Sequence, residues 1–571
     1  MTQRTLSFAS LAVLLLTFTG PCAAQSVPAP VPSARATLAA LPAIEAATLE
    51  AGIRTLSSDA FEGRLPGTVG EERTVQWLVE QFTGMGLQPG HTDGTYLQKV
   101  PLAGITPSPA QPLTFTRAGT ATSLRWREDY VAFTSRVIDE VALSGTDVVF
   151  VGYGVQAPEF AWDDYKGADV TRKLLVMLVN DPPVTDPRDP SKLDDAVFGG
   201  RAMTYYGRWT YKYDIGAQLG AAGVLIVHET EPAGYPWGVV KGFSDERFTL
   251  RTPDRNMGQL PIEGWLSLDA ARALFARAGQ DFDALKQRAA TRAFAPVPLG
   301  TTAGVSITNR LREVDSTNVI ARLDGADAQR RGEYVVYTAH WDHLGVGEAV
   351  NGDRIYNGAV DNATGTAGLV EIARAFTKLA QRPPRSIVFL AVTAEEQGLL
   401  GAQYYTEHPV YPLEKTLANI NMDALNVYGR TKDFTVVGYG ASDLDDLARE
   451  LAAEQGRTLR SDPEPQRGGY YRSDHFNFAK AGVPAFYGKG GDTFVDKPDG
   501  YAKRVRDEYL AVRYHKPQDE VLPTWDLSGL REDLTLLFGL GVRVAGAETW
   551  PEWKPGNEFR ARREKSLSGT R

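Results

Sequence analysis

Tyr334-Val-Val-Tyr-Thr-Ala-His340-Trp-Asp342-His343 decides how the chain is read. A short apolar run of this kind reads as a strand buried on both faces, and such strands belong to parallel sheets covered by helices. Two histidines and an aspartate come directly after it, at the end of the strand where ligands bind in open α/β sheets. Outward from this stretch, further strands are expected at 386–392, 417–422, 434–438 and 484–487, with the first at 333–339. They alternate with helices expected at 365–380, 397–407, 442–455 and 527–546. The alternation predicts an α/β fold with a mixed, largely parallel central sheet flanked by helices.

Nearer the N-terminus, helices are expected over 44–56 and 70–85, the second carrying Val75, Leu78, Val79 and Phe82 at helical spacing before Gly86. From about Ser144 the texture changes. Asp147-Val-Val-Phe-Val-Gly and Lys173-Leu-Leu-Val-Met-Leu-Val read as buried strands, 213–228 as a helix followed by the strand Val224-Leu-Ile-Val, and 266–290 as helical. The tail from Trp550 is polar and basic and reads as a loosely held end.

With 571 residues the chain exceeds one ordinary core, so more than one domain is expected. The net charge of −9, with both signs mixed along the chain, argues against a nucleic-acid surface and offers no basic patch to anionic membranes. Arg4, an apolar run from Leu11 to Phe18 and the small residues Cys22-Ala23-Ala24 predict a signal peptide over 1–24, cut after Ala24, and hence export to the periplasm or beyond. The run is too short for a permanent membrane anchor. Cys22 is the single cysteine; Pro21 before it fits poorly with lipid attachment there. Any metal site in the mature chain must then be built from His, Asp and Glu.

The chain holds only seven histidines. After His340 and His343 comes Asn357-Gly-Ala-Val-Asp361-Asn-Ala-Thr-Gly, a glycine-rich loop that carries an acid into a helix. Next are Glu395-Glu396 after the strand at 386–392, Met422-Asp423 after the strand at 417–422, and Tyr514-His515 in a loop before the last helix. Alone, each has an ordinary reading: a hydrogen-bonded structural histidine, a turn, a surface charge pair. Together, at successive strand ends of a parallel sheet, they converge on one edge. Imidazoles and carboxylates converging there suit zinc, and two zinc ions need a carboxylate between them. Neighbouring side chains of an extended segment point to opposite faces, so one of the Glu395-Glu396 pair can bind metal while the other takes a proton from water. By residue type, His475 in Arg472-Ser-Asp474-His475 is as plausible a ligand as His515.

These motifs (His340-x-Asp342, Gly358-Ala-Val-Asp361-Asn-Ala-Thr-Gly, Ala394-Glu395-Glu396-Gln-Gly-Leu-Leu-Gly-Ala, Asn421-Met-Asp423 and Tyr514-His515-x-x-x-Asp519) resemble those of the zinc aminopeptidases that share a fold with glutamate carboxypeptidase, glutaminyl cyclase and the transferrin receptor. The resemblance covers 40–125 and 301–550 as the peptidase domain, while 126–300 resembles the β-rich protease-associated domain that many members carry as an insert. It implies two zinc ions. His340 and Asp423 would bind one, Glu396 and His515 the other, and Asp361 would bridge them. Glu395 would be the general base that lets a zinc-bound hydroxide attack the peptide carbonyl. Asp342 would orient His340, Tyr514 would donate to the oxyanion, and His343 would be structural or stand just behind the ligands without binding metal. The resemblance selects His515 over His475. One departure is Ala424, where members often carry Met after the ligand Asp.

The expected activity is removal of N-terminal amino acids from peptides. Alternatives are a zinc carboxypeptidase of the same fold, for which Arg208, Arg467 and Arg472 are available, and a non-enzymatic peptide- or protein-binding chain. A one-zinc glutaminyl cyclase has no need of five ligands. The aromatic stretch Tyr205–Tyr213 either overhangs the cleft or packs the insert against the main domain.

Overall fold

The computed structural model describes Met1 and residues 37–568. The expected signal peptide and Cys22 lie outside the described residues. Tyr334–His340 is a strand with six of its seven residues buried, hydrogen-bonded in parallel to Ser386–Val392 on one side and Thr416–Asn421 on the other. Ala485–Gly490 extends the parallel set beyond Thr416–Asn421, and Asp433–Val437 closes on it antiparallel. The sheet is therefore mixed and largely parallel, as expected, and helices such as Thr364–Thr377 and Ser528–Gly546 cover it. Tyr337 shows how closely they pack. Its hydroxyl donates to the Leu537 carbonyl at 2.8 Å, and a side chain at Gly541 would strike that hydroxyl.

Strand register places the site. His340 lies opposite Val392, and Thr338 opposite Asn421. The residues just beyond these three strand ends must share one edge of the sheet.

Two large apolar cores lie on either side of one long strand, Val297–Leu323. Ile44 to Leu87 and Val319 to Ala545 furnish one core; Leu113 to Ile307 furnish the other. Residues 319–323 pair with Ser386–Val392, whereas 297–308 pair with Glu140–Phe150. The second core has its own parallel set, Leu174–Leu178, Gly223–His228 and Ile262–Ser267.

Three elements differ from expectation. The stretch 266–290 is two helices, Leu268–Arg277 and Phe282–Ala289, because Gly279 turns left-handed between them (φ 70°). Helix Tyr501–Val512 is additional to the expected set, and only Ala502 of its residues is buried. The tail is held down: Trp553 is buried and donates to the Gly482 carbonyl, and Arg563, in helix Arg560–Ser568, donates to the Leu413 and Thr416 carbonyls. Its arginine works as a cap for main-chain acceptors, which composition alone does not reveal. Among the described residues no helix is long and apolar enough to cross a membrane.

Candidate metal centre

The carboxylate of Asp361 is divided between two histidines. Its Oδ1 lies 3.3 Å from His340 Nε2, and its Oδ2 lies 3.4 Å from His515 Nε2. His340 Nε2 is also 3.3 Å from Asp423 Oδ1 and 4.0 Å from Glu395 Oε2. His515 Nε2 is also 3.0 Å from Glu396 Oε2. The structure thus brings together all five expected metal ligands and Glu395, in two groups that meet at Asp361.

The backbone explains why these groups hold. Asn362 ties two strand ends to the start of helix Thr364–Thr377: its side-chain oxygen accepts from Gly365 and Ala424 N–H, and its amide donates to the Met422 and His340 carbonyls. Thr366 donates to the same His340 carbonyl at 2.7 Å. A side chain at Gly365 would collide with Asn362 and the Met422 carbonyl. The Asn-Ala-Thr-Gly-Thr run is therefore a clamp that joins the loop of Asp361 to the strands of His340 and Asp423. Ala424, the departure noted above, has left-handed φ (50°), as do Ala394 (52°) and His515 (57°). Left-handed non-glycine residues cost about 1 kcal/mol or more each and gather at functional sites.

Asp342 differs in detail from its expected part. His340 Nδ1 lies 3.2 Å from the Asp342 main-chain oxygen and 3.8 Å from its carboxylate. The carboxylate instead accepts the N–H groups of Glu395 and Glu396. It sets the backbone from which the two glutamates diverge, Glu395 toward His340 and Glu396 toward His515 and His343.

His343 stands behind Glu396. Its Nδ1 lies 2.6 Å from Glu396 Oε1, and its ring meets His515 edge-on. By ligand-atom spacing, two trios lie within 4.8 Å: His340, Glu395 and Asp423, and His343, Asp361 and Glu396. His475 is elsewhere, buried between Tyr470 and Tyr487, where burial pushes its pKa down to about 3. Tyr514 stacks on His515 at 3.9 Å and lines a cavity of about 360 Å³ together with Asp361, Glu395, Glu396 and Asp423.

Two supporting residues have parts that the sequence reading did not assign. Asp519 accepts the N–H groups of Val360 and Asp361; it closes the Tyr514-His515 motif but has no expected role there. Arg64 is buried and donates to the carbonyls of Leu56, Trp341, Asn357 and Gly358. No pattern around Arg64 signals this.

Electrostatically the centre is a cluster of acids crowded around the imidazoles of His340, His343 and His515. Burial acts to raise the Glu395 pKa, and Asp423, Glu396 and Asp474 add to it, so it stands well above the carboxylate range. Burial likewise acts to raise Asp361, but the imidazoles of His340 and His515 beside it outweigh that and hold the group well below that range. His515 Nε2 is buried without a partner of hydrogen-bonding geometry. A buried nitrogen left this way beside two carboxylate oxygens fits a metal ligand, and imidazole plus carboxylate donors suit zinc.

Fold and site together define an α/β protein whose histidines and carboxylates gather at the C-terminal edge of a parallel sheet, in groups that could hold a metal ion. Residues 318–534 match the family model described as Peptidase family M28. Among curated relatives, Aminopeptidase NAALADL1 of Mus musculus is 39% identical over 131 residues, 22% of this chain and 16% of its own length. A probable zinc metalloprotease of Pyrenophora teres f. teres is 37% identical over 111 residues, 19% of this chain and 23% of its own length. The chain therefore spans less than a quarter of either relative. A solved aminopeptidase from Aneurinibacillus sp. strain AM-1 aligns over 87% of this chain and 93% of its own at 18% identity, with a TM-score of 0.48.

Proposed function

We propose that the chain is an exported two-zinc aminopeptidase that removes N-terminal residues from peptides. The observation that carries the reading is the division of the Asp361 oxygens between His340 and His515. A carboxylate in that position suits a bridge between two ions. His340 and Asp423 would hold one, Glu396 and His515 the other. Bound zinc supplies Lewis acidity to the peptide carbonyl and makes a water acidic enough to attack near neutral pH.

Glu395 holds and moves the proton. Its carboxylate borders the cavity but approaches the centre less closely than its neighbour, standing 4.0 Å from His340 Nε2. A raised pKa suits a group that accepts a proton from the attacking water and returns it to the leaving amine. Tyr514 lines the same cavity beside His515, where its hydroxyl serves as donor to the developing oxyanion. Asp342 keeps the two glutamates apart by holding both their N–H groups. The segment 126–300 acts as an inserted protease-associated domain. Its aromatic stretch packs against the main domain, where Tyr205 lies on Tyr471 and Phe476.

Hydrolysis of leucine p-nitroanilide and of an N-blocked dipeptide with a free C-terminus tests the direction of cleavage. Cleavage of the anilide is the expected result. Cleavage of the blocked dipeptide alone would replace the proposal by a carboxypeptidase.

A further inference from the structure

A second cavity of about 360 Å³ contains none of the metal ligands and takes no part in the proposed chemistry. Four stretches of chain enclose it. They are 437–441 at the end of strand Asp433–Val437, the turn Gly469–Tyr471, the tail 554–559, and Ala202-Met203 from the second core. Main-chain bonds fix these walls to one another. The Met203 N–H donates to the Pro465 carbonyl at 3.1 Å, and the Lys554 N–H to the Ala441 carbonyl at 2.9 Å. Met203 also lies so close over Gly468 that a side chain there would strike its sulfur.

The lining is aromatic and acidic. Tyr470 and Phe559 stack with ring centroids 6.3 Å apart, Tyr471 meets Tyr470 edge-on at 5.3 Å, and Tyr439 lines the cavity while 39% exposed. The Tyr470 hydroxyl is buried without a partner. Two carboxylates line the same space. Glu558 accepts the Tyr471 hydroxyl at 2.8 Å, and Asp462 accepts the Glu464 N–H at 2.9 Å. Neither forms an ion pair among the described residues. Lys554, the one cation among the described lining residues, is taken by Asp446 at 2.7 Å. No charge of the wall therefore answers these acids. A carboxylate ligand would meet two like charges, and the two acids are not among the groups spaced to hold a metal ion. An ammonium fits both features: ring faces attract a cation, and a free carboxylate accepts its N–H in a charge-assisted bond. The ring carbons leave room for an apolar body beside the charge.

We propose that this second cavity binds a primary organic ammonium with a flat apolar body, at a site separate from the metal centre. Glu558 accepts from the ammonium, and Tyr439, Tyr470 and Phe559 enclose the body. Met203 closes the site from the second core, so an occupant touches both halves of the chain. Asp462 and Gly469 line the metal cavity as well. The variants that test the site are therefore taken from residues that line the second cavity and not the first.

Calorimetry on the full chain compares 2-phenylethylammonium with 2-phenylethanol, which has the same shape without the charge. The ammonium is expected to bind about 10-fold or more tightly than the alcohol, the worth of one charged hydrogen bond. Glu558→Gln should lower that ratio toward one. Tyr439→Ala, at an exposed ring whose loss leaves the core intact, should weaken the ammonium by about 2- to 5-fold, the worth of one cation–π contact. Urea unfolding of both variants confirms that the fold is kept. The chain stripped of zinc by a chelator should bind the ammonium as the zinc-loaded chain does, which separates this site from the metal cavity and from the peptidase reading. Binding that is lost with the zinc, equal binding of ammonium and alcohol, binding unchanged in both variants, or no binding of either probe overturns the proposal.

Discussion

Asp519 accepts the backbone N–H of Asp361 at 3.1 Å. Asp519 also takes the Val360 N–H with both carboxylate oxygens, and its own main-chain oxygen takes the Ala359 N–H. The loop that delivers His515 thus fixes the backbone of the residue proposed to bridge the metals. Asp519→Ala should weaken zinc binding by about 10- to 100-fold, as loss of a ligand's support does. Competition with a chelator measures it, and unchanged affinity would show that the Asp361 loop holds without this acid.

The histidines should separate by what they hold. His515→Ala removes the nitrogen that faces Glu396 and Asp361 and should lower the zinc count by one. His475→Ala should leave the count intact, since His475 packs between two tyrosines. His343 hydrogen-bonds Glu396, and its substitution should weaken the second ion without abolishing it. Metal analysis of the three purified variants decides, and loss of zinc in His475→Ala would reverse the assignment.

Zinc affinity should rise with pH. Burial acts to lower the His515 pKa, but the Glu396 and Asp361 anions outweigh it and raise it from 6.5 to about 10. In the metal-free protein the ring keeps its proton at neutral pH, and the metal must displace it. The sign for the metal-free fold is opposite: the stability from this raised pKa is fully present below 6.5 and lost as pH rises through about 10. Zinc titrations across pH values of about 6 to 8 should show stronger binding at the higher end. A flat profile would contradict the proposed role of His515.

Arg64→Ala should destabilise the fold by about 3 kcal/mol or more, because four buried carbonyls lose their charged donor and each unmade bond is costly. Two of those carbonyls, Asn357 and Gly358, begin the loop of Asp361, so zinc affinity should fall as well. Urea unfolding reads the first effect and chelator competition the second.

The parallel part of the sheet was legible because its strands are unbroken apolar runs with chemistry at their ends. Tyr334–His340 and Ser386–Val392 appear within one residue of expectation. The ligand set was legible because acids and histidines recur just beyond successive strands. Long-range support was not. Arg64 acts on carbonyls 277 to 294 residues away, a distance over which sequence carries no local period. Helix Tyr501–Val512 buries only Ala502, and its apolar residues Tyr501, Val505, Tyr509 and Val512 are set among Lys, Arg, Asp and Glu, so its stripe is narrow. The Asp342 carboxylate was expected under His340 but accepts from Glu395 and Glu396, because the tight turn after Ser386–Val392 brings two N–H groups within its reach.

The central claim is a two-ion centre in which Glu395 moves the proton. Zinc content per chain and the rate on leucine p-nitroanilide, measured for wild type and Glu395→Gln side by side, test it most directly. The account predicts about two zinc ions in both proteins, with the rate lost by a factor on the order of a hundred or more in the variant. A variant that keeps its rate, or a wild type that binds no zinc tightly, would contradict it.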